Sequence, residues 1–179
     1  MPARRERLEP LISEECIRRR VGELAGEIDA DYRDKPLTLV IVQKGAVIFA
    51  ADLMRQIGIP LTIEFVVASS YGKGTESSGR VTLRGTDNLD IAGRHVILVE
   101  DILETGLTSK AVIDELGRRA PASLALCTFL RKDRVSNRDL PTRYVGFEIP
   151  EEFVVGYGMD YAERYRNLSG VFRLIFEEA

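Results

Sequence analysis

The sequence predicts an α/β fold built on a mostly parallel sheet covered by helices on both faces. Three observations predict it. Four apolar runs, LTLVIV (37–42), LTIEFVVA (61–68), HVILV (95–99) and SLALCTFL (123–130), are rich in Val, Ile and Leu, as strands buried on both sides must be. Helical patterns separate three of these runs from what precedes or follows them. The 179 residues, 45% of them hydrophobic, suit one domain (1–179) with a substantial core.

The elements follow in order. Ser13 caps a helix in which Ile17, Val21, Leu24 and Ile28 keep helical spacing and Glu14 and Glu15 occupy the first turn. Strand 37–42 leads to helix 46–57, which ends at Gly58 and Pro60, and then to strand 61–68. A polar stretch, SSYGKGTESSGR (69–80), precedes a short strand, VTLR (81–84). Strand 95–99 is followed by Glu100 and Asp101, helix 107–116 ends at Gly117, and strand 123–130 comes next. The tail holds shorter strand-like pieces, YVGFEI, FVVGYG and VFRLIF, around the polar segment DYAERYRNL.

Composition excludes several classes of function. A net charge of -3 carries no basic excess for nucleic acid, and no apolar run approaches membrane-spanning length. The N-terminus, MPARRERLEPL, lacks the apolar stretch of a signal peptide, so a cytoplasmic protein is expected. Cys16 and Cys127 form no CxxC and are expected to be two buried thiols. The single histidine, His95, begins its strand and belongs at the edge opposite any site, as a structural residue. GTESSGR (74–80) has P-loop glycine spacing, but Arg80 and Val81 stand where Lys and Ser or Thr are needed, and no GxGxxG follows a strand.

In open parallel sheets, ligands bind beyond the carboxyl ends of the strands. Those ends lead into Gln43-Lys44-Gly45, the Gly/Ser stretch, Glu100-Asp101 and Arg131-Lys132-Asp133. Thr105-Gly106-Leu107-Thr108 opens a helix, where unpaired N–H groups and the positive dipole end cradle an anion. Two carboxylates beside such a cradle would repel a lone phosphate. They are compatible with a ligand that carries phosphate at one end and a polyhydroxylated or cation-bridged portion beside it.

VILVEDILETGLTS (96–109) resembles the phosphoribosyl diphosphate (PRPP) binding motif of type I phosphoribosyltransferases. SSYGKGTESSGRV resembles the flexible catalytic loop of the hypoxanthine-guanine branch, QKGA its first loop, and YVGFEIPEEFVVGYGMDYAERYRNL (144–168) its purine-binding hood. The resemblance implies the type I phosphoribosyltransferase fold, with a hood formed by the N-terminal segment and about 135–179. It also implies purine salvage: Mg²⁺-dependent transfer of 5-phosphoribosyl from PRPP to N9 of hypoxanthine or guanine, giving IMP or GMP and pyrophosphate.

Roles follow by similarity. Glu100 and Asp101 would accept from the ribose hydroxyls and from waters of a Mg²⁺, with Asp160 serving a second Mg²⁺ or its waters. Thr105, Gly106, Leu107 and Thr108 would hold the 5'-phosphate. Lys44, beside Gly45, and Arg166 would stabilise the pyrophosphate. Lys132 would point at the purine 6-oxo group, Phe153 would stack on the ring and Val154 would supply backbone contacts. Ser70 and Tyr71 would cover the site when the flap closes. Members of this branch are commonly dimers or tetramers, so a homo-oligomer is expected. Two positions depart from the pattern: Gln43 stands where Leu is more usual, and Glu104 where Asp usually serves purine N7. Glu104 is expected to keep that role. The substitution leaves open two other readings: a non-catalytic PRPP or nucleotide sensor on the same fold, and an enzyme for another base.

Overall fold

The computed structural model describes residues 5–70 and 81–177, with the side chains of Arg5, Ser69 and Ser70 outside the description. Its elements are β1 (Arg5–Ile12), α1 (Glu14–Asp31), β2 (Leu37–Gln43), α2 (Val47–Gln56), β3 (Leu61–Ser70), β4 (Val81–Arg84), β5 (His95–Leu103), α3 (Leu107–Gly117), β6 (Ser123–Lys132), β7 (Thr142–Ile149), β8 (Val154–Val155) and β9 (Val171–Glu177). Six strands form the central sheet in the order β4-β3-β2-β5-β6-β7. The β3-β2-β5-β6-β7 pairings are parallel, and only β4 runs antiparallel, against β3.

Strand alternation sorts the core into two halves. Leu39, Ile41, Ile97, Val99, Cys127 and Phe129 face α1 and α2. Val40, Val42, Val96, Leu98 and Leu126 face Val112 and Leu116 of α3. All six residues from Leu37 to Val42 are buried, which is why β2 reads as a continuous apolar run. Ser13 caps α1 as expected, accepting from the Cys16 N–H at 3.3 Å.

The second sheet, β1-β9-β8, is antiparallel and makes the hood. β7 belongs to the central sheet, so 135–149 is not hood; the hood begins after Ile149 and takes β1 from the N-terminus. Tyr157 ties the hood down. Its ring packs on Phe129 of β6 at 4.7 Å, and its hydroxyl donates to Asp52 of α2 at 2.7 Å.

His95 lies at the amino end of β5, where Nδ1 and the Ser123 hydroxyl are 2.7 Å apart, and takes no part in the cleft described below. Cys16 is only partly buried, because it sits on the solvent side of the first turn of α1; Cys127 is fully buried, and both are free thiols.

Candidate active site

Four segments meet at the carboxyl ends of the strands, and the hood leans over them. They enclose a cleft of about 370 Å³ lined by Lys44, Gly45, Glu100, Asp101, Glu104, Thr105, Gly106, Thr108, Asp160 and Arg166. A second lobe of about 190 Å³ adds Lys132, Phe153 and Val154, and shares Asp101, Glu104 and Asp160 with the first. Tyr71 and the segment 71–80 lie outside the described residues, and only the backbone of Ser70 is described, paired with Val81.

Glu100 and Asp101 do not follow the strand; they are part of it, because β5 runs to Leu103. Successive side chains on a strand point to opposite faces, so the two acids part. Glu100 turns toward α3, is 4% exposed and accepts from the Ser109 hydroxyl. Asp101 turns the other way, against Gly45, where a Cβ would stand 1.8 Å from its Oδ2. Burial pushes Asp101 up from the ordinary carboxylate range, while backbone N–H groups and the Arg166 guanidinium offset part of that rise.

The turn before α3 is built for an anion. Gly106 caps the helix with φ of 77°, the left-handed region that glycine enters without strain, and no acid stands in the first turn. The N–H groups of that first turn have no acceptor inside the helix. Asn137, 3% exposed, sits beneath and donates to the carbonyls of Glu104 at 2.8 Å and Lys132 at 2.9 Å. The Ser136 hydroxyl donates to the Thr105 carbonyl at 2.9 Å. The cradle and the end of β6 are thereby held as one rigid unit.

At the other lobe, Lys132 is the last residue of β6 rather than part of a loop, and it is buried. Its Nζ donates to Glu104 Oε1 at 2.5 Å. Phe153 is 50% exposed and meets Tyr161 edge-on at 5.8 Å, leaving a ring face open for a flat partner. Val154 is buried in β8.

Cations gather on the hood side. Arg166 pairs with Asp160 at 2.7 Å and donates to the Gly158 carbonyl at 2.7 Å. Lys44 pairs with Glu163 at 3.1 Å, and Arg166 reaches the same carboxylate at 3.4 Å. Gly158, with φ of 100°, lies so close that a Cβ there would be 2.2 Å from the Gly45 carbonyl oxygen. The first loop and the hood therefore touch through two glycines.

A family model described as phosphoribosyl transferase domain matches residues 13–162. The chain belongs to the phosphoribosyltransferase family. The hypoxanthine phosphoribosyltransferase of Haemophilus influenzae is 43% identical over 178 residues, 98% of this chain and 99% of that one. The hypoxanthine-guanine phosphoribosyltransferase of Mycobacterium avium is 47% identical over 165 residues, 89% of this chain and 81% of that one. A crystal structure of a hypoxanthine-guanine phosphoribosyltransferase from Bacillus anthracis, with HEPES in its active site, matches with a TM-score of 0.87 at 41% identity. That match covers 96% of this chain and 99% of the other.

Some contacts of this phosphoribosyltransferase were not visible in the sequence: Ser109 on Glu100, Asn137 beneath the cradle, Glu163 between Lys44 and Arg166, and Arg134 near Glu104. Only Ser109 had a signal, since it faces the strand one turn after the helix cap. Burial pushes the Glu100 carboxyl up from 4.5 to about 8, despite the Ser109 hydrogen bond. In the unfolded chain the group ionises near its ordinary value, so the folded state binds the extra proton between pH 4.5 and 8. Stability should thus fall as pH rises through that window. Glu100→Gln removes the titration, and thermal unfolding against pH should show a higher Tm than wild type above pH 8 and a flatter profile.

Proposed function

We propose that this phosphoribosyltransferase salvages 6-oxopurines, moving 5-phosphoribosyl from PRPP to N9 of hypoxanthine or guanine to give IMP or GMP and pyrophosphate. One observation carries the reading: an anion cradle, a carboxylate-lined floor and a lobe with Lys132 and Phe153 form two connected lobes. The relatives named for this activity point the same way.

The 5'-phosphate belongs on the N–H groups and hydroxyls of 105–108, and the ribose over Asp101. Lys44 and Arg166 face the pyrophosphate, once it displaces Glu163 from them. As the bond from C1' to pyrophosphate breaks, positive charge grows on the sugar and Asp101 stabilises it. Lys132 leaves Glu104 to donate to the 6-oxo group, and Phe153 covers one ring face. N9 bonds to C1' while Glu104 takes the proton from N7.

Mg²⁺ fits as an ion carried by the ligand. Among the described residues no cluster of three His, Cys, Asp or Glu side chains would hold a metal alone. Asp101 and Asp160 line the same cleft as outer partners, whereas Glu100 is turned to Ser109. When bound, Mg²⁺ neutralises charge on the pyrophosphate.

Incubation with PRPP, Mg²⁺ and each of hypoxanthine, guanine, xanthine and adenine tests the proposal. Pyrophosphate release is expected with hypoxanthine or guanine and not with adenine. Tight PRPP binding without release for any base would favour a sensor. Glu104→Asp restores the residue usual in the PRPP motif and should keep or raise turnover with hypoxanthine; total loss in the same assay would contradict the N7 role.

No described helix is long and apolar enough to cross a membrane. Self-association is also part of this reading. Ile63, Phe65 and Val67 of β3 are exposed on the face carrying α1 and α2, with Val47 and Ile48 of α2 also exposed. This apolar band suits a second copy of the chain. Phe65→Asp should weaken the dimer by at least about tenfold in sedimentation equilibrium, since a carboxylate would be desolvated there.

A further inference from the structure

Glu104 Oε1 receives two cations at once. Lys132 lies at 2.5 Å and the Arg134 guanidinium at 3.4 Å. Under the salvage reading, on which this inference rests, Lys132 has a second duty at the purine 6-oxo group. Once it turns there, Glu104 loses its nearer partner.

The backbone around Glu104 is already fixed, because the Asn137 amide donates to the carbonyls of both Glu104 and Lys132. The carboxylate end depends on its two cations; its side chain is 45% exposed and sits on a bend between β5 and α3. Arg134 is the remaining cation in reach, and it has an anchor of its own. Its Nε donates to Glu151 Oε1 at 2.6 Å, and its NH2 group donates to the other oxygen of the same carboxylate. A planar guanidinium gripped on one edge by a carboxylate presents its other N–H groups in a set direction, which a lysine ammonium would not do. Glu151 stands at the start of the hood, just after β7.

We propose that Arg134 is a positioning residue for Glu104. Held by Glu151, it keeps the Glu104 carboxylate aimed into the purine lobe after Lys132 has moved to the base. The longer side chain of glutamate is what brings the carboxylate within range of Arg134.

Kinetics and binding of Arg134→Gln, Arg134→Lys and Glu151→Gln test this, in the native chain and in a Glu104→Asp background. Arg134→Gln should lower kcat with hypoxanthine about tenfold while the Kd for PRPP stays within about twofold. Arg134→Lys should recover part of the loss, and Glu151→Gln should lower kcat by about threefold. In the Glu104→Asp background the shortened carboxylate is withdrawn from Arg134, so adding Arg134→Gln should change kcat by less than about twofold. Full activity of Arg134→Gln, equal damage to PRPP affinity, or the same loss in both backgrounds would overturn the proposal. A wild-type chain that forms no nucleotide would instead contradict the salvage reading itself, so the two failures are distinguishable.

Discussion

Lys132→Ala is expected to lower kcat/KM for hypoxanthine by about 10²–10³-fold, with PRPP affinity kept within about twofold. Lys132 is buried at the end of β6 and lines the second lobe, and among the described residues no other cation lines that lobe. Arg134, the other cation near Glu104, is held by Glu151. The buried stem also contributes packing, so a modest fall in Tm should accompany the kinetic loss. Steady-state rates with hypoxanthine and calorimetry with PRPP measure the two effects separately. Equal loss of both would place Lys132 outside the purine lobe.

Gly45→Ala should be nearly as damaging, through the other lobe. A Cβ at 45 meets Asp101 Oδ2 at 1.8 Å and Cγ at 2.4 Å, and the hood backbone at Gly158 closes the space behind. Something must shift, and the pieces available are the Lys44 loop, Asp101 and the hood edge, all of which face the sugar and pyrophosphate. Displacements of that size cost about 10²-fold in rate when they misplace reacting groups. The expected result is a fall of about 10²-fold in kcat/KM for PRPP, with IMP affinity falling less, because IMP shares the ribose 5'-phosphate but has no pyrophosphate for the Lys44 loop to hold. The change lies at the rim and leaves the two cores intact.

Strong local patterns made much of the fold legible. The buried strands β2, β5 and β6, the capped helix α1 and the two crossover helices α2 and α3 each carry an apolar period that only one element satisfies. β1 was not legible. RERLEPLI is charged and contains Pro10, and its partner β9 is at the far end of the chain, so nothing local marks it as a strand. As an edge strand with a bulge near Pro10, it tolerates the missing N–H.

The strand ends at the site were misjudged for a related reason. Glu100, Asp101, Arg131 and Lys132 are polar residues inside strands, and hydrophobic patterning ends a strand where its apolar run ends. The ladder continues because Glu100 pairs with Thr128, and Lys132 with Ile149. That continuation sends Glu100 and Asp101 to opposite faces. Lys44, Thr105, Gly106, Thr108 and Asp160 line one cleft; Lys44 follows β2 and 105–108 opens α3, positions that strand and helix signals mark, whereas Asp160 lies in a loop that only the family resemblance singled out. Contacts such as Arg134 to Glu104 and Asn137 to Lys132 depend on how two loops pack, which spacing along one chain does not encode.

The division of the cleft into a sugar-pyrophosphate lobe and a purine lobe is tested most directly by crossed calorimetry. PRPP with Mg²⁺, and IMP, are each titrated into Gly45→Ala and Lys132→Ala. Gly45→Ala should lose mainly PRPP affinity and Lys132→Ala mainly IMP affinity. Two variants that weaken both ligands to the same extent would contradict that division.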